Sequence, residues 1–101
     1  MSDPFPSVQS TTSSPTTIPV GAVSAILLTG DPARVFFSIQ NPVGSPGTLF
    51  VKFGFGASLV DYKFFLNPGD YANSDKGEYN GVVTAILSVA GPAPVLVTSE
   101  T

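Results

Sequence analysis

The chain has 101 residues, a formal net charge of −3, no cysteine and no histidine, which suits one domain with one modest core and excludes disulfides, thiol chemistry and an imidazole base. Its four cations, Arg34, Lys52, Lys63 and Lys76, are too few to neutralise a run of phosphates, so no direct nucleic-acid partner is expected. Charged residues make up 11% of the chain, against about 25% in an ordinary soluble domain, so the folded surface must be covered largely by Ser, Thr, Asn and apolar side chains, which suits a surface meant to be covered by other protein.

Met1 to Thr17 holds Pro4, Pro6 and Pro15 among Ser and Thr, with Phe5 and Val8 as its large apolar side chains after Met1. Such a segment cannot build a core. Proline favours extended backbone and the polar residues keep it solvated, so residues 1–17 are expected to form an arm with a reach of up to about 50 Å. Two readings stay open: an idle terminus, or an arm that docks on a neighbouring subunit by adding a strand or lodging Phe5 in a pocket.

Ile18 to Leu28 is the most apolar stretch, but Pro19, Gly21 and Ser24 interrupt it and no Lys or Arg precedes it. It is too short to cross a bilayer and lacks the flanks of a signal peptide. A protein made in a cytoplasm, with no membrane partner, and used there or in an assembled particle is expected.

From Ile18 to the end the pattern is strand and turn, giving a domain over residues 18–101. Val35, Phe37 and Ile39 alternate with Phe36, Ser38 and Gln40, so the first set should face inward. The loop from Asn41 to Gly47 ends that strand. Leu49, Val51 and Phe53 form the next inward set, broken by Gly54-Phe55-Gly56. Tyr62, Phe64 and Leu66 follow, closed by Asn67-Pro68-Gly69-Asp70, where proline then glycine specify a type II turn. A short edge strand is expected near Tyr71. After Lys76-Gly77 and Asn80-Gly81, Val82 to Val89 is apolar on both faces and should be central. Gly91-Pro92 turns the chain into a last strand through Val95 to Thr98.

Ten Gly, ten Pro, eight Phe and three Tyr complete the picture: short strands joined by tight turns. The expected fold is all-β, a single β-sandwich, jelly-roll or immunoglobulin-like, of about seven or eight short antiparallel strands behind an extended N-terminal arm.

One internal similarity stands out. Gly21-Ala22-Val23-Ser24-Ala25-Ile26-Leu27 matches Gly81-Val82-Val83-Thr84-Ala85-Ile86-Leu87, and Pro32-Ala33-Arg34-Val35 matches Pro92-Ala93-Pro94-Val95, at a common offset of 60. Each copy reads as a hairpin turning at the proline, either as a true repeat or as convergence on one hairpin recipe.

Chemistry is sparse. Ser and Thr nucleophiles have no evident base. Asp61, Asp70, Asp75 and Glu78 read as solvated turn residues rather than a paired-carboxylate site. Asn73, Asp75 and Glu78 do not meet the order of a calcium loop, and Gly54-Phe55-Gly56 lacks the third glycine and the helix of a nucleotide fingerprint. No catalytic residue, metal ligand or cofactor is expected, and the chain reads as a non-enzyme.

If Val35, Phe37 and Ile39 face inward, Phe36 faces outward, and the same alternation turns Phe50 and Phe65 away from the core. Rings left outside a core mark a subunit interface, so Phe36, Phe50, Phe65 and, on the arm, Phe5 are the candidate partner-binding residues. The bland alternative places these strands' two faces both inside the sandwich.

Five local words, Ile39-Gln40-Asn41, Leu49 to Gly54, Leu66 to Asp70, Tyr79 to Ile86 and Val95 to Glu100, resemble small β-sandwich virion proteins of tailed bacteriophages, including capsid cement or decoration proteins and head-fibre components. The resemblance implies a non-catalytic protein on the outer surface of an icosahedral head, commonly a homo-oligomer, a trimer above all, that clamps neighbouring major capsid protein subunits. It carries over no binding residues. A receptor- or carbohydrate-binding virion domain is the alternative, with Phe55, Tyr62 and Tyr71 as candidate aromatics. A bacterial surface subunit would carry an export signal, and none is visible.

Overall fold

Residues 16–34, 36–74 and 79–100 are described by the computed structural model of the protein. Alternating apolar side chains organise them into eight strands: β1 (Thr16–Val20), β2 (Ala25–Leu28), β3 (Phe36–Gln40), β4 (Leu49–Phe53), β5 (Phe64–Leu66), β6 (Tyr71–Asn73), β7 (Val83–Leu87) and β8 (Ala93–Glu100). No helix occurs among the described residues.

The strands form two antiparallel four-stranded sheets, ordered β1-β8-β3-β6 and β2-β7-β4-β5. We call them sheet A and sheet B. Strand β1 pairs with β8, β2 with β7, β3 with β6 and β4 with β5. This is a long antiparallel hairpin wrapped over itself, the jelly-roll form of the sandwich. Consecutive strands cross between the sheets except at the β4–β5 hairpin.

The inward set is the one expected from a period of two. Phe37, Ile39, Leu49, Val51, Leu66, Val83, Leu87, Val95 and Val97 are buried, and Phe53 and Phe64 pack against them. At one end of the sandwich Phe53 meets Phe37 edge-on at 5.8 Å and stacks on Tyr79 at 4.5 Å. Strand β7 lies between β2 and β4 and buries Val83, Thr84, Ala85 and Leu87, as a central strand should.

Three local expectations change. Strand β1 begins at Thr16, inside the expected arm, because Thr16 and Thr17 join the ladder opposite Val97 and Leu96 although both side chains are exposed. Tyr62 is exposed and lies outside β5, which starts at Phe64. The repeat copies are not hairpins: β2 and β7 lie in sheet B while β3 and β8, which follow them, lie in sheet A, and within the matched residues the two copies pair through β2 and β7, with Ala25 opposite Ala85.

Polar groups fasten the ends. The Asn67-Pro68-Gly69-Asp70 turn closes with Asp70 N–H donating to the Asn67 carbonyl at 2.9 Å, and Gly69 has φ +92°, the type II geometry. Asn41 is fully buried beside it. Its Nδ2 donates to the carbonyls of Gly47 at 3.0 Å and Leu66 at 2.9 Å. At the other end Arg34 is buried, donates to the carbonyls of Thr29 and Gly81, and stands over the Phe37 ring. Burial pushes its pKa below the ordinary arginine value, with Asp31 and Tyr79 pulling the other way.

Candidate functional site

The outer face of sheet B gathers the aromatic side chains that the core leaves over. On β4 Phe50 lies opposite Phe65 of β5 on one side and Ile86 of β7 on the other. The Phe50 and Phe65 rings are 5.9 Å apart, and Tyr62 sits edge-on to Phe50 at 4.8 Å and to Phe65 at 6.4 Å. Phe65 is 51% exposed and Tyr62 41%, so the cluster faces outward.

The chain from Gly54 to Asp61 folds back over the same face. Thr84 points outward from β7 yet is buried, because its hydroxyl donates to the Gly54 carbonyl at 2.6 Å and accepts from the Ala57 N–H at 3.2 Å. A tight turn follows, closed by Ser58 N–H to Asp61 O at 3.0 Å, with exposed Leu59 and Val60 at its tip. Val60 is 93% exposed. Lys52 and Asp61 form an ion pair of 2.6 Å, so the two charges in this region compensate each other.

The four predicted rings do not share one place. Phe50 and Phe65 come together. Phe36 lies on the outer face of sheet A, half-buried and opposite Glu100, so it cannot join them. Phe5 lies outside the described residues, as do Val35, Asp75, Lys76, Gly77 and Glu78. Tyr62 is the member that alternation missed: the turn before it rotates the chain out of strand phase, so Tyr62 lands on the face opposite to Phe64.

Neither family models, nor curated proteins, nor solved structures gave a match to this chain.

Among the described residues no group of three or more carboxylates comes together. The described aspartates have local roles: Asp31 Oδ1 accepts from Ala33 N–H at 2.9 Å, Asp61 pairs with Lys52, and Asp70 Oδ2 accepts from Asn67 N–H at 3.0 Å. No helix among the described residues is long and apolar enough to cross a membrane. Of the three glycan-binding candidates, Tyr62 stands on the outer face of sheet B and Phe55, 70% exposed, lies on the segment from Gly54 to Asp61 that folds over that face, whereas Tyr71, 66% exposed, belongs to β6 of sheet A and cannot share a groove with Tyr62.

Proposed function

We propose that the chain is a non-catalytic structural protein of a virus particle, a cement or decoration protein that lays the outer face of sheet B against the major capsid protein on the outside of the shell. The single observation that carries the reading is the cluster of Phe50, Tyr62 and Phe65, flanked by Ile86 and by a compensated Lys52–Asp61 pair. Covering one phenylalanine ring is worth about 1.5–3 kcal/mol, and many such contacts repeated around a lattice add through avidity. Jelly rolls recur in viral capsid and lectin domains, an analogy of fold that supports particle binding without selecting the partner.

A carbohydrate-binding role has weaker support, because such sites set aromatics beside polar groups in a groove and Tyr62 and Tyr71 stand on opposite sides of the sandwich. The test is to add purified protein to shells lacking it. Saturable, stoichiometric binding that raises the shells' resistance to heat, and that Phe65→Ser weakens, supports the proposal. Strong binding to a glycan array with no binding to shells would overturn it.

A further inference from the structure

Residues 55–60 turn three large apolar side chains toward water: Phe55 is 70% exposed, Leu59 48% and Val60 93%. The backbone that carries them is nevertheless tied down. Gly54 N–H donates to the Val82 carbonyl at 2.8 Å, the Thr84 hydroxyl donates to the Gly54 carbonyl at 2.6 Å and accepts the Ala57 N–H at 3.2 Å, and Lys63 N–H donates to the Val51 carbonyl at 2.7 Å. At the tip Ser58 and Asp61 exchange both backbone hydrogen bonds, and Val60 N–H donates to the Ser58 hydroxyl at 3.3 Å. Of residues 55–60 only Ala57 is buried. This strap is therefore held to the sheet by hydrogen bonds and contributes one methyl group to the protein's apolar interior.

Thr84 is the centre of that arrangement. A hydroxyl at an outward position of a strand ordinarily meets water, yet Thr84 is 1% exposed and the strap backbone takes both its donor and its acceptor function. Valine has the same shape and suits a strand equally well, but it could make neither bond. The choice of threonine thus serves the strap and not the strand.

We propose that Thr84 is the positioning residue of the docking face: its hydroxyl fixes the strap so that Leu59 and Val60 project as a ready-made anchor that enters an apolar recess on the major capsid protein. This rests on the capsid reading given above and adds to it the shape of the contact. Tyr62 directly follows Asp61 and stands edge-on to Phe50 at 4.8 Å, so the strap is continuous with the aromatic cluster and one partner meets both. The strap lies on top of the sheet, which makes the docking surface convex there and calls for a concavity opposite. Ordering a loop at the moment of contact opposes association, and a strap already fixed avoids that loss.

Binding isotherms of the full chain on shells lacking it test the inference. Val60→Ser should raise the dissociation constant about tenfold or more without moving the thermal midpoint. Thr84→Val should also weaken binding, and Thr84→Ser, which keeps the hydroxyl, should bind like the unaltered protein. Hydrogen exchange separates positioning from general loosening: in Thr84→Val the Ala57 amide should exchange faster, while the Leu87 amide on the same strand, which donates to the Gly21 carbonyl, keeps its protection. Unchanged affinity in Val60→Ser, with Phe65→Ser still weakening binding, overturns the anchor and leaves the capsid reading standing. Thr84→Ser binding as poorly as Thr84→Val, or Thr84→Val binding as well as the unaltered protein, overturns the role of the hydroxyl. Self-association of the free protein that Val60→Ser abolishes, with shell binding intact, would assign the strap to contacts between copies instead. Absence of any binding by the unaltered protein overturns both readings, and Val60→Ser keeps the test decisive should Thr84→Val fail to fold.

Discussion

Ala25 lies directly opposite Ala85 in the β2–β7 pair, and the two residues are equivalent members of the internal repeat. The same offset of 60 separates Ser38 and Thr98, which face each other in the β3–β8 pair. A local pseudo-twofold axis therefore passes through both sheets, relating β2 and β3 to β7 and β8. The symmetry is incomplete. Strand β7 carries β4 on its outer edge, whereas β2 is an edge strand. Ala85 is accordingly fully buried while Ala25 is only half-buried. Ala85→Leu should overpack the sandwich and lower stability by about 1–3 kcal/mol, and Ala25→Leu by clearly less. Chemical denaturation of both variants measures this, and equal costs would deny the asymmetry.

Asn41 is expected to act as a peg rather than a surface loop residue. Its amide satisfies the Gly47 and Leu66 carbonyls, and its backbone N–H donates to the Asp70 carbonyl at 3.0 Å. Asn41→Ala strands two carbonyls at a buried site and should cost about 2 kcal/mol. Asn41→Asp should cost more at neutral pH, since a carboxylate would face two carbonyl acceptors, and part of the loss should return as acid protonates it. Urea unfolding at pH 7 and at pH 4 separates the two effects.

Much of this architecture is legible in the residues, and the parts that are not have identifiable causes. Alternation in Phe37 and Ile39, in Leu49 and Val51, and in Val95 and Val97 reports burial on one face, which any two-layer sandwich requires. The turn at Pro68-Gly69 is equally readable because only that backbone geometry suits both residues. Alternation is silent about which sheet a strand joins, so the repeat reads as two hairpins although its connections cross between sheets. It is silent also on the outer face, where Tyr62 leaves the expected phase because a turn, and not the ladder, sets its direction. Phe36 and Phe50 look alike by period, and only strand order puts them on opposite sides of the molecule.

Arg34 offers a test of the fastening at the Phe37 end. The guanidinium donates to the carbonyls of Thr29 and Gly81, two segments far apart in the chain. Arg34→Ala should lower stability by about 2–3 kcal/mol. Arg34→Lys should recover only part, since an ammonium cannot reproduce the planar fork. Because burial depresses the folded-state pKa, charging Arg34 disfavours folding, and that penalty is relieved only as alkaline pH rises through the depressed value. Between about pH 5 and 9 the group stays charged in both states, so the difference between the Arg34→Ala variant and the unaltered protein should be flat, and a slope there would assign the effect to another group.

Phe65 and Leu66 are adjacent in sequence and face opposite ways, which makes them the sharpest pair for dividing docking from folding. Leu66 is 5% exposed and belongs to the core cluster, so Leu66→Ala should cost about 2–5 kcal/mol. Phe65 is half-exposed and touches Phe50 and Tyr62, so Phe65→Ser should cost only the aromatic contacts, about 1 kcal/mol. In a shell-binding assay the order should reverse: Phe65→Ser binds markedly worse although it is folded, while Leu66→Ala binds in proportion to its remaining folded fraction. If both variants lost binding only to the extent that they lost stability, the outer face of sheet B would have no docking role of its own.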